Sequence, residues 1–250
     1  KLSFKFQYEL DVLYDAKCSS VFLTNKVLDL YREILQSNEL VYYAETDVSY
    51  NKPAVYGWHS DDEINTRENT NEKTFHVRGA IYFHSYEGNS GGIKFMPGSH
   101  YFIRPNKLLK KFIKKILFKK KFNNLISNTR LLFSKNYFPG SKDFTVWDKR
   151  ILHSPWAAKV KGFPKLSLHP SIEKKLPRFI VEKNSFPRSL INLDMGIKSK
   201  SLDDYIEHLS QREEYKFRWQ SQSKLLSSDF LAKLANKNII FNDYCIKKWA

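Results

Sequence analysis

The chain has 250 residues, of which 42% are hydrophobic and 15% aromatic. That is enough to bury one good core, at a length where β-barrel folds are commonly a single domain. Its two cysteines, Cys18 and Cys245, sit near opposite ends with no ligand or framework spacing. This excludes a disulfide scaffold and a cysteine zinc site, and it points to ordinary reduced thiols in a cytoplasmic protein. No stretch approaches the roughly 18 uninterrupted apolar residues of a membrane-spanning helix, and Lys1-Leu2-Ser3-Phe4-Lys5 does not read as a secretory signal.

In chain order, Leu23 to Leu35 places apolar residues at helical spacing, with Thr24 or Asn25 as its cap. This helix belongs to an N-terminal support over residues 1–40. Strands are expected at Val41 to Ser49, Val77 to Ser85, Ile93 to Met96, Asp143 to Trp147 and Lys165 to His169, within a core over residues 41–170. A lysine-rich helical insert over 104–135 interrupts that core. After Leu176 the pattern turns irregular, then helical at Leu202 to Ser210 and Ser227 to Ala235. Residues 176–250 therefore read as an extension packed on the core of one domain, 1–250. No internal repeat is present.

Within this frame, Gly57-Trp58-His59-Ser60-Asp61 brings an imidazole and a carboxylate two residues apart, and His153 follows in Trp147-Asp148-Lys149-Arg150-Ile151-Leu152-His153. On a strand or its frayed end, residues i and i+2 point the same way, so His59 and Asp61 can share one metal. Two imidazoles and one carboxylate fill one face of an octahedron and leave three positions open, the donor set of non-haem Fe(II) oxygenases. The third ligand must come from a strand that folds back beside the first. Alone, His-x-Asp is a weak motif, and a surface loop with an Asx-type turn is its plain alternative.

The surroundings change that balance. Arg78-Gly79-Ala80-Ile81-Tyr82-Phe83 reads as a buried strand, followed by Gly91-Gly92-Ile93-Lys94-Phe95-Met96-Pro97-Gly98-Ser99-His100. The order His-x-Asp, apolar strand, Gly-Gly turn, apolar strand, Pro-Gly-Ser-His, then a strand ending in a lone His resembles the phytanoyl-CoA dioxygenase family over roughly Val41 to His169. The resemblance implies a mainly β fold with flanking helices around a double-stranded β-helix (jelly-roll, cupin-like) core. It also implies Fe(II) held by His59, Asp61 and His153, with 2-oxoglutarate and O2 as cosubstrates and release of succinate and CO2.

In the family a basic residue about ten positions beyond the distal histidine anchors the far carboxylate of 2-oxoglutarate, usually Arg followed two residues on by Ser or Thr. Here Lys165 stands in that place, with Ser167 following. Lysine supplies the sign but not the planar fork of arginine. Tyr50 or Ser167 could add a hydroxyl, and Arg78 could supply the fork instead or sit at the barrel edge in an ion pair. The resemblance makes His100 structural. Asp61 occupies the position that related halogenases vacate for halide, which favours hydroxylation.

Charge is the second informative feature. The net charge is +16, and between Glu87 and Asp143 the chain has no acidic residue. Inside that gap, Leu109, Phe112, Ile113, Ile116 and Leu117 form one helical apolar stripe, and the lysines of Lys107 to Phe122 lie mostly off it. Such a helix can lie on an anionic membrane, gather an anionic substrate, or pack on the core with its lysines in water. The polar loop Asp62 to Lys73 lies beside the proposed metal ligands.

Three functions fit. The first is an Fe(II)/2-oxoglutarate hydroxylase acting on a small or lipid-linked anionic substrate, cytoplasmic and in peripheral contact with a membrane through Lys107 to Phe122. The second is a non-catalytic metal-binding barrel, with Lys165 as its symptom. The third is a basic module for membranes or nucleic acid. Nucleic acid ranks lower, because the phenylalanines among the lysines are spaced for an apolar helix face and not as a stacking platform.

Overall fold

The computed structural model describes residues 12–14, 16–50, 57–62, 73–101, 134–183, 188–213, 219 and 226–249. The insert Lys107 to Phe122, nearly all of the loop Asp62 to Lys73 and the side chain of Tyr50 lie outside the described residues. Helices α1 (Ala16–Phe22) and α2 (Asn25–Leu35) open the described chain. Thr24 is the cap of α2, its side chain accepting from the Val27 amide. The α2 face Leu28, Tyr31 and Leu35 is buried.

The strand expected at Val41 to Ser49 is two strands, β1 (Leu40–Tyr42) and β2 (Thr46–Tyr50). They part at Ala44, whose φ of 58° turns the chain through the left-handed region. Next come β3 (His76–Tyr82), β4 (Gly92–Phe95), β5 (Lys135–Tyr137), β6 (Phe144–Asp148) and β7 (His153–Ala157). Lys165 to His169 is not a strand. Gly162 takes a φ of 75°, Pro164 offers no amide, and the Leu168 carbonyl accepts from the Lys94 ammonium, so the run turns into the short helix α3 (Pro170–Glu173).

The C-terminal third also departs from expectation. It begins with β8 (Ser189–Gly196), then α4 (Lys200–Ser210), α5 (Ser228–Ala235), β9 (Ile239–Phe241) and α6 (Tyr244–Trp249). The helices fall where their periodicity puts them, and Ser199 and Ser227 cap α4 and α5. The core does not end at residue 170, however, because β8 is inserted between β3 and the pair β1 and β2 in the larger sheet.

Among the described residues there are two sheets, one ordered β6-β3-β8-β1-β9 with β2 also on β8, the other β5-β4-β7. Core residues Ala80, Tyr82, Trp147 and Leu190 of the larger sheet pack with Ile93 of the smaller one, so the sheets face each other across an interior. This is the mainly β, double-stranded β-helix arrangement with flanking helices. Behind the larger sheet, Val77, Ile191, Leu193 and Met195 pack on α2, and α4 covers Val41, Tyr43 and Phe75. Cys18 is half-buried and Cys245 is a buried free thiol. No helix of the described residues is long and apolar enough to cross a membrane.

Gly79 shows how close the α2 contact is. A Cβ there would run into the Tyr31 hydroxyl, which donates to the Leu193 carbonyl at 2.7 Å, and into the Phe144 ring. Gly79→Ala should therefore cost about 1–3 kcal/mol by overpacking. At this chain length that is about 2–4 °C of melting temperature per kcal/mol. Thermal unfolding checks it, and an unchanged midpoint would contradict the packing described.

Candidate metal centre

Two backbone ladders bring the proposed ligands together. His59 and His153 exchange both amide-to-carbonyl hydrogen bonds, at 3.0 and 2.8 Å, as an antiparallel bridge. The amides of Asp61 and Asp62 both donate to the Lys149 carbonyl, at 3.0 and 3.1 Å, in the turn between β6 and β7. The segment bearing His59 and Asp61 thus lies beside the chain that leads into His153, the fold-back the ligand spacing requires. His153 begins β7 instead of ending the strand before it.

The Pro-Gly-Ser-His run braces this junction. Gly98 takes a φ of 75°, the Met96 amide donates to the Leu152 carbonyl, and the Ser99 hydroxyl accepts from the Leu152 amide at 2.7 Å. His100 stands in the 3-10 turn Ser99–Tyr101 and is no part of the ligand cluster.

Among the described residues, His59, Asp61 and His153 form the group of metal-ligating side chains whose donor atoms all lie within 4.8 Å of one another. His153 Nε2 is 3.7 Å from Asp61 Oδ2, and His59 Nε2 is 4.0 Å from Asp61 Oδ1. The Nδ1 atom of His153 faces the Ile151 carbonyl at 3.2 Å, and that of His59 faces the Gly57 carbonyl at 3.4 Å. A proton on each Nδ1, donated to these carbonyls, leaves each Nε2 lone pair for a metal. Burial pushes the His153 imidazole down to about 4, with His59 and Arg78 acting the same way and Asp61 opposing them, so the ring is neutral near pH 7.

Asp61 decides the fit. Its Oδ1 lies 3.4 Å from Arg78 Nη1, whereas its Oδ2 is buried and has no hydrogen-bond partner. Burial works against the carboxylate's charge, but Arg78 above all, then His153, Lys149 and His59, hold the carboxyl far below its ordinary range. A bare, charged, buried oxygen is costly unless something cationic meets it. Arg78 itself is fixed by a two-point bond to Asp194 (Nε to Oδ1 2.8 Å, Nη2 to Oδ2 2.7 Å) and by Glu45 Oε1 at 3.2 Å. Lys149 Nζ donates to Glu45 at 2.6 Å, to Asp194 at 2.7 Å and to the Tyr205 hydroxyl at 2.7 Å. A divalent metal held by the two Nε2 atoms and Oδ2 would give that oxygen its missing partner. A cleft of about 240 Å³ opens over His59 and Asp61, walled by Tyr205 and Arg212 from the C-terminal region.

The remaining candidates are placed as follows. Arg78 spends the flat edge of its guanidinium on Asp194 and turns Nη1 to Asp61. Lys165 is exposed in a turn, and the Ser167 hydroxyl bonds that of Ser134 at 2.7 Å. Tyr50 pairs through its backbone with Ser189. A further arginine was not anticipated. Arg188, just before β8, shares the parity of Leu190, an interior residue, and its Nε is buried with no hydrogen-bond partner. Its charge bears on the buried Tyr82 hydroxyl and opposes the upward push of burial there. Trp147 Nε1 is another buried polar atom without a partner in this interior, and the Trp147 ring lies 5.6 Å from that of His153. The signal was a basic residue opening Ser189 to Gly196, where Ile191, Leu193 and Met195 alternate with polar Asn192 and Asp194.

No family model matches the chain, and no curated protein does. Among solved structures it is similar to EctD from S. alaskensis with bound Fe, at 12% identity over 74% of this chain and 55% of that one, with a TM-score of 0.45. It is also similar to the non-heme alpha ketoglutarate dependent epimerase SnoN from nogalamycin biosynthesis (13% identity, 74% and 58%, TM-score 0.43). A third is the nickel complex of the non-heme monooxygenase ThoJ (10% identity, 73% and 54%, TM-score 0.41). The chain spans about half the length of ThoJ and EctD. With TM-scores below 0.5, these likenesses carry no argument about this chain.

Two outcomes are expected. In Co(II) titrations near neutral pH the protein binds one ion; His153→Ala weakens binding by more than about 100-fold, beyond what loss of a supporting contact costs. His100→Ala leaves binding unchanged, and equal losses in the two variants would contradict the assignment. Second, an unfolded histidine takes up its proton near 6.5 and buried His153 only near 4, so the unfolded chain binds more protons between those values. Stability from His153 is present above pH 6.5 and is lost as pH falls towards 4, by about 3 kcal/mol. Urea unfolding of metal-free protein against His153→Asn reads that difference; parallel pH profiles would refute it.

Proposed function

We propose that the chain is an Fe(II)- and 2-oxoglutarate-dependent dioxygenase that hydroxylates a small or membrane-associated anionic organic substrate, an acyl, lipid or sugar derivative. One observation carries this reading: two imidazoles and a carboxylate with a bare buried oxygen converge from distant parts of the chain onto one point. Three donors leave half of an octahedron open, which suits Fe(II) that must also accept a chelating cosubstrate and O2. The motif resemblance to the phytanoyl-CoA dioxygenases belongs to the same reading.

When bound, iron with 2-oxoglutarate and O2 supplies oxidative decarboxylation to succinate and CO2 and the oxidation of the substrate. The chain's own groups do the rest. His59 and His153 would hold the metal through Nε2, their Nδ1 atoms facing backbone carbonyls. Asp61 would offer Oδ2, because Arg78 faces Oδ1. The presence of this carboxylate favours hydroxylation over halogenation.

Arg188 is the anchor for the far carboxylate of 2-oxoglutarate in this reading. It has the planar donor fork that Lys165 lacks, it looks into the interior, and its buried Nε awaits a partner beside the Tyr82 hydroxyl. The residues from Ala158 to Pro187 intervene between β7 and this strand, so the basic residue arrives later than the family's usual spacing. Arg212 at the cleft wall supports an anionic substrate. The interior beyond Trp147 suits the cosubstrate, and the open cleft over His59 suits the substrate.

Anaerobic protein with Fe(II) and 2-oxoglutarate should show the visible charge-transfer band of the chelate, and His153→Ala should not. Arg188→Met should raise the 2-oxoglutarate concentration for half-maximal band by about 30-fold or more, the cost of stripping one partner from a buried charge pair. Lys165→Met should change it less than about twofold, as for an exposed charge. No band in the iron-loaded wild type would favour a non-catalytic barrel, and a larger effect from Lys165→Met would return the anchor to Lys165.

A further inference from the structure

Residues Lys159 to Lys183 form a separate layer over β4 and β7. Val160 bridges to both Phe163 and Val181, the Lys161 amide donates to the Ile180 carbonyl at 3.0 Å, and Lys94 reaches out of β4 to the Leu168 carbonyl and the Glu173 carboxylate. The layer is thus held from beneath by a buried ion pair and across its width by backbone bonds.

Its solvent side is unusual. Phe179 is 76% exposed and Phe163 67%, and Leu166 and Ile172 are exposed as well. Single exposed hydrophobics are ordinary, whereas several large ones gathered on one small, backbone-tied layer mark an interaction surface. The charge around them has one sign: Lys161, Lys165, Lys175, Arg178 and Lys183 are exposed. The acids of this stretch are Glu173 and Glu182; the first is buried against Lys94 and the second is half-buried.

We propose that this face docks the protein on an anionic lipid surface. Phenylalanine rings ringed by lysine and arginine suit the headgroup boundary, where the apolar groups enter the acyl region and the cations meet anionic lipid. Leu166 and Ile172 have no π-face on which a base could stack, which favours lipid over single-stranded nucleic acid. The layer also touches the metal centre: His169 packs on Trp58, the neighbour of His59, with ring centroids 6.5 Å apart. Docking on this surface stands whether or not iron binds.

The test is cosedimentation of the full chain with phosphatidylcholine vesicles, with and without phosphatidylserine, at low and high salt. Binding should require phosphatidylserine and fall as salt rises. F163S/F179S should weaken it by about tenfold or more through lost apolar insertion. K161E/R178E should weaken it similarly through charge, and both variants should keep the wild-type melting temperature and Co(II) binding, since all four side chains are exposed. Lack of binding to phosphatidylserine vesicles, or equal binding by wild type and F163S/F179S, would overturn the proposal. Tighter binding to a single-stranded oligonucleotide, lost in the same variants, would overturn it too and make the face a nucleic-acid surface.

Discussion

The carboxylate of Asp61 is satisfied on one side only, and the rest of the interior is arranged around that inequality. Arg78 faces Oδ1 because Asp194 and Glu45 hold its guanidinium in place, and Lys149 in turn ties Asp194 and Glu45 together. The same Lys149 offers its backbone carbonyl to the amides of Asp61 and Asp62. One residue therefore fixes both the path of the ligand-bearing segment and the charges beneath it. Buried ion clusters of this kind do little for stability relative to apolar packing, yet breaking one is costly. Their value here is geometric: they leave Oδ2 bare, beside the two imidazoles.

The fold explains how such a point is reached. β3 and β8 run side by side at the centre of the larger sheet, and their interior-facing residues change character along the strands. Arg78 and Asp194 are paired near the metal centre, Ala80 and Asn192 come next, then Tyr82 and Leu190, with Arg188 at the far end. The Nε of Arg188 has no hydrogen-bond partner there. An interior of this polarity is costly as a core and suits the wall of a binding site.

Much of this was legible in the sequence where the signal was local. The pair His59 and Asp61 and the helices at Leu23 to Leu35, Leu202 to Ser210 and Ser227 to Ala235 follow from short-range spacing, whereas His153 comes from the motif resemblance. Signals that depend on distant partners were not legible. The alternation of β8 is masked because its interior positions carry Arg188, Asn192 and Asp194 in place of apolar residues, so a central strand reads as irregular chain. The break at Ala44 is a backbone conformation that its side chain does not advertise. Nothing local shows that the stretch carrying Lys165 makes a separate layer before the chain returns to the sheet, with Lys165 exposed in a turn. The cluster of Glu45, Arg78, Lys149 and Asp194 joins four separate stretches of chain, and no local pattern links them.

A crystal structure of the protein with Fe(II), read by anomalous scattering at the iron edge, tests the central claim most directly. One ion should lie about 2.0–2.2 Å from His59 Nε2, His153 Nε2 and Asp61 Oδ2, the range for nitrogen and oxygen donors to a comparable divalent ion, with Oδ1 still facing Arg78. An iron peak elsewhere, or an Asp61 carboxylate swung away from the two imidazoles to pair fully with Arg78, would contradict it.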